Sequence, residues 1–175
     1  MVKKSVNVSA DDSIQFIHMA DTHLGYFRYP KGDEDGVNQR MMDFHEAFLQ
    51  SVDKAIAAKP DFIIHAGDIV DTHNPPNRSR EIMAEGISRI HKAGIPLIVL
   101  SGTHDTPKIK RDINLFKLFK YDNVYMMSEP DQITLNIKGK TINIYGVPYS
   151  YDFEEMKTWF NDTMAEELDK DAYNI

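Results

Sequence analysis

Short apolar segments that alternate with amphipathic ones restrict the possible folds of this chain more than any other feature. The apolar segments 13–20, 61–66 and 95–100 each have the length of a buried β-strand. Between them, 38–58 and 79–93 carry apolar residues at helical spacing. Strands that alternate with helices predict an α/β fold, in which a largely parallel central sheet is covered by helices.

The next part of the chain predicts a third helix and further strands. Apolar residues crowd 112–120, which we interpret as a helix, and a strand is expected at 124–127. Two segments with alternating polarity, 132–137 and 141–147, flank the tripeptide KGK. A short turn of this kind between alternating segments predicts a β-hairpin.

A last helix is predicted near the end of the sequence. Asp152 followed by Glu155 three residues later is typical of a helix start. We expect the residues after this helix, DKDAYNI, to add no further strand. The apolar stripe that defines the helix consists of Met156, Phe160, Met164 and Leu168.

The composition of the chain restricts which metal ligands and which classes of protein are possible. The chain has no cysteine, so any metal must be held by His, Asp, Glu, amide or hydroxyl groups. Neither a signal peptide nor a membrane-spanning run is recognisable, which predicts a cytoplasmic protein without membrane contact. The net charge of -7 argues against a nucleic-acid coat protein but not against an enzyme that acts on phosphodiesters. Carboxylates that hold cations present a positive centre even on an acidic chain.

Metal-type or acid-base side chains follow each of the first three predicted strands. The sequences are DTH at 21–23, GDIVD at 67–71 and GTHD at 102–105. Parallel strands end at a common edge of their sheet, where ligands of open α/β sheets bind. We therefore expect Asp21, His23, Asp68 and His104 to converge in one pocket at that edge.

The residue types at this edge suit a divalent metal centre. Asp21 and His23 are two residues apart, so in extended chain both point to one side and can ligate one ion. An oxygen and an imidazole ligand suit manganese, iron or zinc better than calcium. Asp68 has two oxygens and could bridge two ions, and His104 can donate a proton at neutral pH. The alternative is structural: Asp21 and His23 would cap the loop after their strand, and Asp68 and Thr103 would be ordinary turn residues.

The same strings resemble a known superfamily. DTHLGY at 21–26, GDIVD and the later PP within 67–76, and GTHD at 102–105 look like the first three motifs of calcineurin-like metallophosphoesterases. Within that superfamily they are most similar to the Mre11/SbcD DNA-repair nucleases. The resemblance implies an α/β/β/α layered sandwich. It also implies that 1–175 is one nuclease domain, its N-terminal part, incomplete at the C-terminus.

The resemblance also implies an activity and roles for particular residues. Asp21 and His23 would bind a first Mn²⁺, Asp68 would bridge it to a second, and His104 would contact the scissile phosphate as an acid. Other divalent metals are possible. The expected activity is exonuclease and single-strand endonuclease cleavage at DNA ends in double-strand-break repair. The expected partner is a Rad50/SbcC-type ATPase, and the expected place is the nucleoid.

The chain departs from the family pattern at several positions. Thr103 stands where an Asn ligand of the second metal is usual, and its neutral hydroxyl would be a poorer ligand. Asp71 stands where some members have His, either as a substitute or as a neighbour without a catalytic role. No histidine follows His104, so at least three expected ligands are missing. We interpret the chain as a fragment of a longer protein rather than one with a decayed second metal site. On its own it is expected to bind metal weakly and to have little nuclease activity.

Two other functions compete with a nuclease. The first is a phosphatase or small-molecule phosphodiesterase of the same superfamily. Protein phosphatases of that superfamily tend to have Arg after the GDxxD motif and Glu in place of the last Asp of the third motif. Thr72 and Asp105 at these positions favour the nuclease branch. The second is a catalytically inactive scaffold that keeps only the fold and a dimer surface.

A surplus of apolar residues predicts self-association. Apolar side chains crowd 109–119 beyond what one helix face needs to cover a sheet. In the resembling nucleases, helices beside the third motif pair across a two-fold axis. We therefore expect a homodimer through helices 79–93 and 112–120, with an isologous contact.

Overall fold

The structure is a computed structural model that describes residues 12–27, 38–109, 112–165 and 168–175. Its central sheet has four parallel strands in sequential order, so neighbours along the chain are also neighbours in space. This architecture confirms the predicted α/β fold with a parallel central sheet. The strands are β1 (Phe16–Met19), β2 (Phe62–His65), β3 (Leu97–Leu100) and β4 (Val124–Met127).

Two helices cover one face of this sheet. Helix α1 (Gln39–Ala57) begins where Asn38 Oδ1 accepts the Met41 amide at 3.0 Å, and α2 (Asn77–Lys92) is followed by Gly94 in a left-handed conformation. Their apolar faces bury side chains against the sheet, because an amphipathic helix is stabilised mainly by such packing. The residues buried at this interface include Phe48, Val52, Met83, Ile87, Ile63 and Val99.

A second sheet covers the opposite face. Strands β5 (Asp131–Ile137) and β6 (Lys140–Gly146) are antiparallel, which confirms the predicted hairpin. Its turn residues Lys138 and Gly139 both have positive φ, 52° and 72°, as a two-residue type I′ turn requires. The two sheets share a core formed by Phe62, Ile98, Met127, Ile133, Leu135, Ile142 and Ile144.

The predicted helix at 112–120 is wrong. The described residues of this segment form only a short 3-10 helix, Leu115–Leu118. Asn114 explains the difference, because its Oδ1 accepts the Phe116 amide at 2.9 Å while its Nδ2 donates to Ser101 Oγ at 3.2 Å. These hydrogen bonds start a tight turn, and the chain is extended again at Phe119 before it enters β4.

The last helix begins as predicted but ends earlier. Asp152 Oδ1 accepts the Glu155 amide at 3.1 Å at the start of α3 (Phe153–Ala165). The stripe was expected to continue to Leu168, which lies outside the helix, and the Met164 side chain is outside the described residues. None of the helices in the described ranges is long and apolar enough to cross a membrane.

The expectation that no strand follows this helix is also wrong. Strand β7 (Tyr173–Asn174) pairs with β6 in parallel. Asp169 makes this possible, because its Oδ1 accepts the Asp171 amide at 2.9 Å and its carbonyl accepts the Ala172 amide at 3.3 Å. The resulting turn directs the chain back to the second sheet.

Candidate metal centre

The loops after β1 and β2 run side by side beyond the ends of the strands. Backbone hydrogen bonds join them, from the Asp21 amide to the Gly67 carbonyl and from the His23 amide to the Asp68 carbonyl, both at 3.0 Å. A further bridge pairs Leu24 with Val70 in parallel. The first two sequence motifs therefore form one continuous layer at the carboxyl edge of the central sheet.

Three non-glycine residues in this layer have left-handed backbones. The φ angles are 56° at Asp21, 42° at His23 and 53° at Asp68. Each costs on the order of 1–2 kcal/mol relative to an ordinary conformation, and such strain persists only where surrounding contacts hold it. These are three of the residues that the sequence predicted as metal ligands, so the strained backbone coincides with the candidate site.

The third loop lies against the second. The His104 amide donates to Asp68 Oδ1 at 2.8 Å. Asp105 is buried, with 1% of its surface exposed, and its carboxylate accepts the Gly102 amide at 2.9 Å and the Val70 amide at 3.1 Å. Burial raises the pKa of Asp105, although hydrogen bonds from backbone amides oppose that shift. The Asp105 carboxylate thus fastens the third motif to the second.

Four predicted site residues come together in this arrangement. One group of three possible metal ligands is Asp21, His23 and Asp68, and another is His23, Asp71 and His104. Within each group the candidate ligand atoms lie within 4.8 Å of one another. Thr103, the fifth predicted site residue, is exposed next to His104 in the same loop.

His23 is oriented between two carboxylates. Its Nδ1 lies 3.1 Å from Asp71 Oδ1, and its Nε2 lies 3.7 Å from Asp21 Oδ1. The first distance is a hydrogen bond in which Nδ1–H donates, whereas the second is too long for one. A carboxylate that holds the far side of the imidazole is the usual support of a histidine metal ligand. The sequence left Asp71 open as a substitute or a bystander, and the structure makes it the partner of His23.

His104 faces the same cluster. Its Nδ1 donates to the Asp71 carbonyl at 2.6 Å, and its ring meets the His23 ring edge-on with centroids 4.9 Å apart. The hydrogen bond to the Asp71 carbonyl raises the pKa of His104, and the Asp68 carboxylate adds to that shift while partial burial opposes it. The Asp71 carbonyl therefore fixes which ring nitrogen of His104 points away from the protein backbone.

Comparison with known proteins identifies the family of this chain. Residues 14–173 match the calcineurin-like phosphoesterase family. The chain belongs to this family. It is also 37% identical over 107 residues to the DNA double-strand break repair protein Mre11 of Methanococcus maripaludis, covering 61% of this chain and 27% of that protein. Over 136 residues it is 35% identical to the protein of the same name from Sulfurisphaera tokodaii, covering 77% of this chain and 33% of that protein.

The matches cover only part of the length of each relative. The protein of the same name from Sulfolobus acidocaldarius is 30% identical over 136 residues, which is 78% of this chain and 34% of that protein. The chain thus spans between about a quarter and a third of the length of these curated relatives. Family membership applies to the phosphoesterase domain described here.

The donor set at this candidate site fits a divalent metal. Asp21 Oδ1 and His23 Nε2 face each other without a hydrogen bond between them, as two ligands of one ion would. Carboxylate oxygen and imidazole nitrogen are ligands that manganese, iron and zinc accept. Asp68 belongs to the same group of ligand atoms, and one of its oxygens already accepts the His104 amide.

One layer below the phosphoesterase site, a buried histidine contacts the first motif. His65 Nε2 lies 3.0 Å from the Thr22 hydroxyl, and 2% of the residue is exposed. Burial lowers the pKa of His65 to about 4, so its ring is neutral at physiological pH. The contact joins β2 to the loop after β1, so it could be identified only from the tertiary structure.

Proposed function

We propose that this chain is part of a manganese-dependent DNA exonuclease and endonuclease of the Mre11 type, which processes DNA ends in double-strand-break repair. The observation that carries the proposal is the convergence of Asp21, His23, Asp68 and His104 at one sheet edge. The similarity to proteins named for double-strand break repair supports the choice of DNA over other phosphate esters.

The proposed roles follow from the contacts of each side chain. Asp21 and His23 would hold the first ion, and Asp68 would be shared with a second. Thr103 would be a weak ligand at most, because a neutral hydroxyl is a poor substitute for an amide oxygen. Divalent ions held there supply Lewis acidity for phosphoryl transfer.

His104 is the proposed acid of the reaction. Because its Nδ1 donates to the Asp71 carbonyl, Nε2 is the atom that would contact the scissile phosphate and give its proton to the leaving oxygen. The Asp68 contact to the His104 amide keeps this ring beside the proposed ions. Because Nδ1 keeps the proton that it donates to the Asp71 carbonyl, Nε2 carries a proton only in the doubly protonated ring. This hydrogen bond stabilises that form, since it raises the pKa of His104.

We further propose the partners that the resembling nucleases have. These are DNA ends, a Rad50/SbcC-type ATPase and a second copy of the chain, bound in the cytoplasm at the nucleoid. The dimer would form around 79–93 and 112–120, although the latter segment contains a short 3-10 helix rather than the expected long one. Exposed apolar side chains in and beside that segment support an interface, namely Ile109, Ile113 and Leu118.

Manganese titration and ester hydrolysis test the proposal. Mn²⁺ should bind this chain weakly, and Asp68→Asn should weaken binding further. Unchanged binding in Asp68→Asn, or none at millimolar Mn²⁺, would contradict the metal site. We expect little or no DNA cleavage by this chain, since no histidine follows His104, and Thr103→Asn should not restore it.

The choice between nuclease and phosphatase needs a separate measurement. With Mn²⁺ and a large amount of protein, residual hydrolysis should favour bis(p-nitrophenyl) phosphate, a diester, over the monoester p-nitrophenyl phosphate. His104→Asn should abolish this residual hydrolysis, and that loss distinguishes it from the activity of a contaminating enzyme. Preference for the monoester would favour the phosphatase reading.

A further inference from the structure

The side chain of Thr22 lies between the two predicted ligands of the first ion and points away from them. Its hydroxyl is 3.2 Å from the Ile69 carbonyl and 3.0 Å from His65 Nε2. Ile69 directly follows Asp68, the proposed shared ligand. One hydroxyl thus contacts both the strand below the site and the loop beside it.

The number of protons defines the direction of these hydrogen bonds. His65 Nδ1 is buried without a hydrogen-bond partner, so a proton there would be an unpaired donor, and we place the ring proton on Nε2. The Thr22 hydroxyl then accepts from Nε2–H and donates its single proton to the Ile69 carbonyl. Two hydrogen bonds therefore run in one direction, from His65 through Thr22 to the backbone of the second motif.

These two hydrogen bonds lie where the backbone is strained. Asp21 and His23, on either side of Thr22, both have left-handed φ angles. The Leu24 amide donates to the same Ile69 carbonyl at 2.9 Å. Loss of the hydroxyl contact would leave the first motif held to the second by backbone hydrogen bonds and by the single side-chain bond from His23 to Asp71. It would also leave an unpaired group in the buried space below.

We propose that His65 is a positioning residue for the metal centre, which acts through the Thr22 hydroxyl to hold Asp21 and His23 in their ligand geometry. The inference rests on the proposed metal site. It goes beyond that site because His65 is buried in β2 and touches no metal. If His65 only filled space, an apolar side chain of similar volume could replace it. If His65 positions the loop, the hydrogen bond that its Nε2 proton donates to Thr22 is also needed.

Variants that separate volume from hydrogen bonding test this directly. His65→Leu and Thr22→Val remove the donor and the acceptor, whereas His65→Gln and Thr22→Ser keep a polar group near each position. Thr134→Val is the matched control, because it makes the same chemical change at a hydroxyl bonded to Asn143 in the second sheet. Mn²⁺ affinity is measured by electron paramagnetic resonance on each purified chain.

We expect His65→Leu and Thr22→Val each to weaken Mn²⁺ binding about tenfold, the lower end of what outer-shell changes cost. His65→Gln and Thr22→Ser should stay within about threefold of the parent chain, and Thr134→Val should not change affinity. The double variant Thr22→Val with His65→Leu should bind Mn²⁺ no more weakly than either single variant, because both substitutions break the same series of hydrogen bonds.

Amide hydrogen exchange without metal provides the second measurement. The His23 and Leu24 amides should exchange faster in His65→Leu and Thr22→Val, while those of the second sheet should not. Unchanged Mn²⁺ affinity and exchange in folded Thr22→Val would overturn the inference. Failure of the parent chain to bind Mn²⁺ would overturn the proposed metal site instead, and exchange would then still decide whether His65 positions the loop.

Discussion

Gly102 lies directly against Asp68, so closely that no side chain fits between them. A Cβ atom on Gly102 would be 2.3 Å from Asp68 Oδ1 and 2.5 Å from the Asp68 amide nitrogen. One of these is the proposed ligand group and the other is backbone, so neither can move without displacing the site. The glycine of the third motif is thus required by the carboxylate of the second.

We predict that Gly102→Ala weakens Mn²⁺ binding at least tenfold and destabilises the fold by about 1–3 kcal/mol, the usual cost of overpacking. Mn²⁺ titration and chemical denaturation measure the two effects. Gly139→Ala is the control, since a Cβ there meets nothing within 4 Å and only its positive φ of 72° is strained. It should lower stability without changing Mn²⁺ affinity, and an equal loss of affinity in both variants would contradict the steric explanation.

The hydrogen bond between Asp71 and His23 gives a second prediction. Asp71→Asn replaces the carboxylate that accepts from His23 Nδ1 and should lower Mn²⁺ affinity about 10–100-fold. The side chain keeps its size, so the fold should persist. Asp53→Asn is the matched control, because Asp53 is an exposed carboxylate bonded to Arg89 away from the site. Equal affinities of the two variants would exclude a supporting role for Asp71.

The buried ring of His65 predicts a pH dependence of stability. Because burial lowers its pKa to about 4, the folded chain binds this proton less readily than the unfolded chain does. The contribution of His65 to the free energy of unfolding is therefore fully present above pH about 6.5. It is lost as the pH falls toward 4, by about 3 kcal/mol in total. Below both pKa values the loss becomes constant.

Denaturation of the parent chain and of His65→Gln between pH 4 and pH 8 measures this contribution of His65 to stability. The difference in unfolding free energy between the two should decrease as the pH falls, because only the parent has the buried imidazole. Other groups that titrate in this range, including His45, are common to both proteins and cancel. Parallel curves would show that His65 can be protonated without cost in the folded state.

Exposed apolar residues beside the 3-10 helix predict where the chain associates. Ile113 and Leu118 are 73% and 67% exposed, whereas Leu115 and Phe116 between them are buried. We expect Ile113→Glu combined with Leu118→Glu to shift a dimer to monomer in light scattering at tens of micromolar, with little change in melting temperature. Phe160→Glu changes an equally apolar, 54% exposed residue of α3 and should leave the dimer intact. A monomeric parent chain would contradict the interface.

Much of the fold could be predicted because its signals are local. The helical periodicity of α1 and α2, the apolar runs of β1 to β3 and the KGK turn are each encoded within a short window. The segment around Leu115 differs from the predicted helix because Asn114 bonds to Ser101, thirteen residues earlier, and starts a tight turn there. Strand β7 was missed because it has two residues and exists only through its pairing with β6.

The sequence by itself determined which residues stand at the carboxyl edge of the sheet, since Asp21, Asp68 and His104 each follow a strand whose apolar pattern is evident. Only the tertiary structure decided which groups hold these side chains and their loops in place. His23 meets Asp71 across 48 residues, and Thr22 meets His65 across 43. Such pairs depend on how three loops pack over one sheet, and neither local propensity nor periodicity contains those distances.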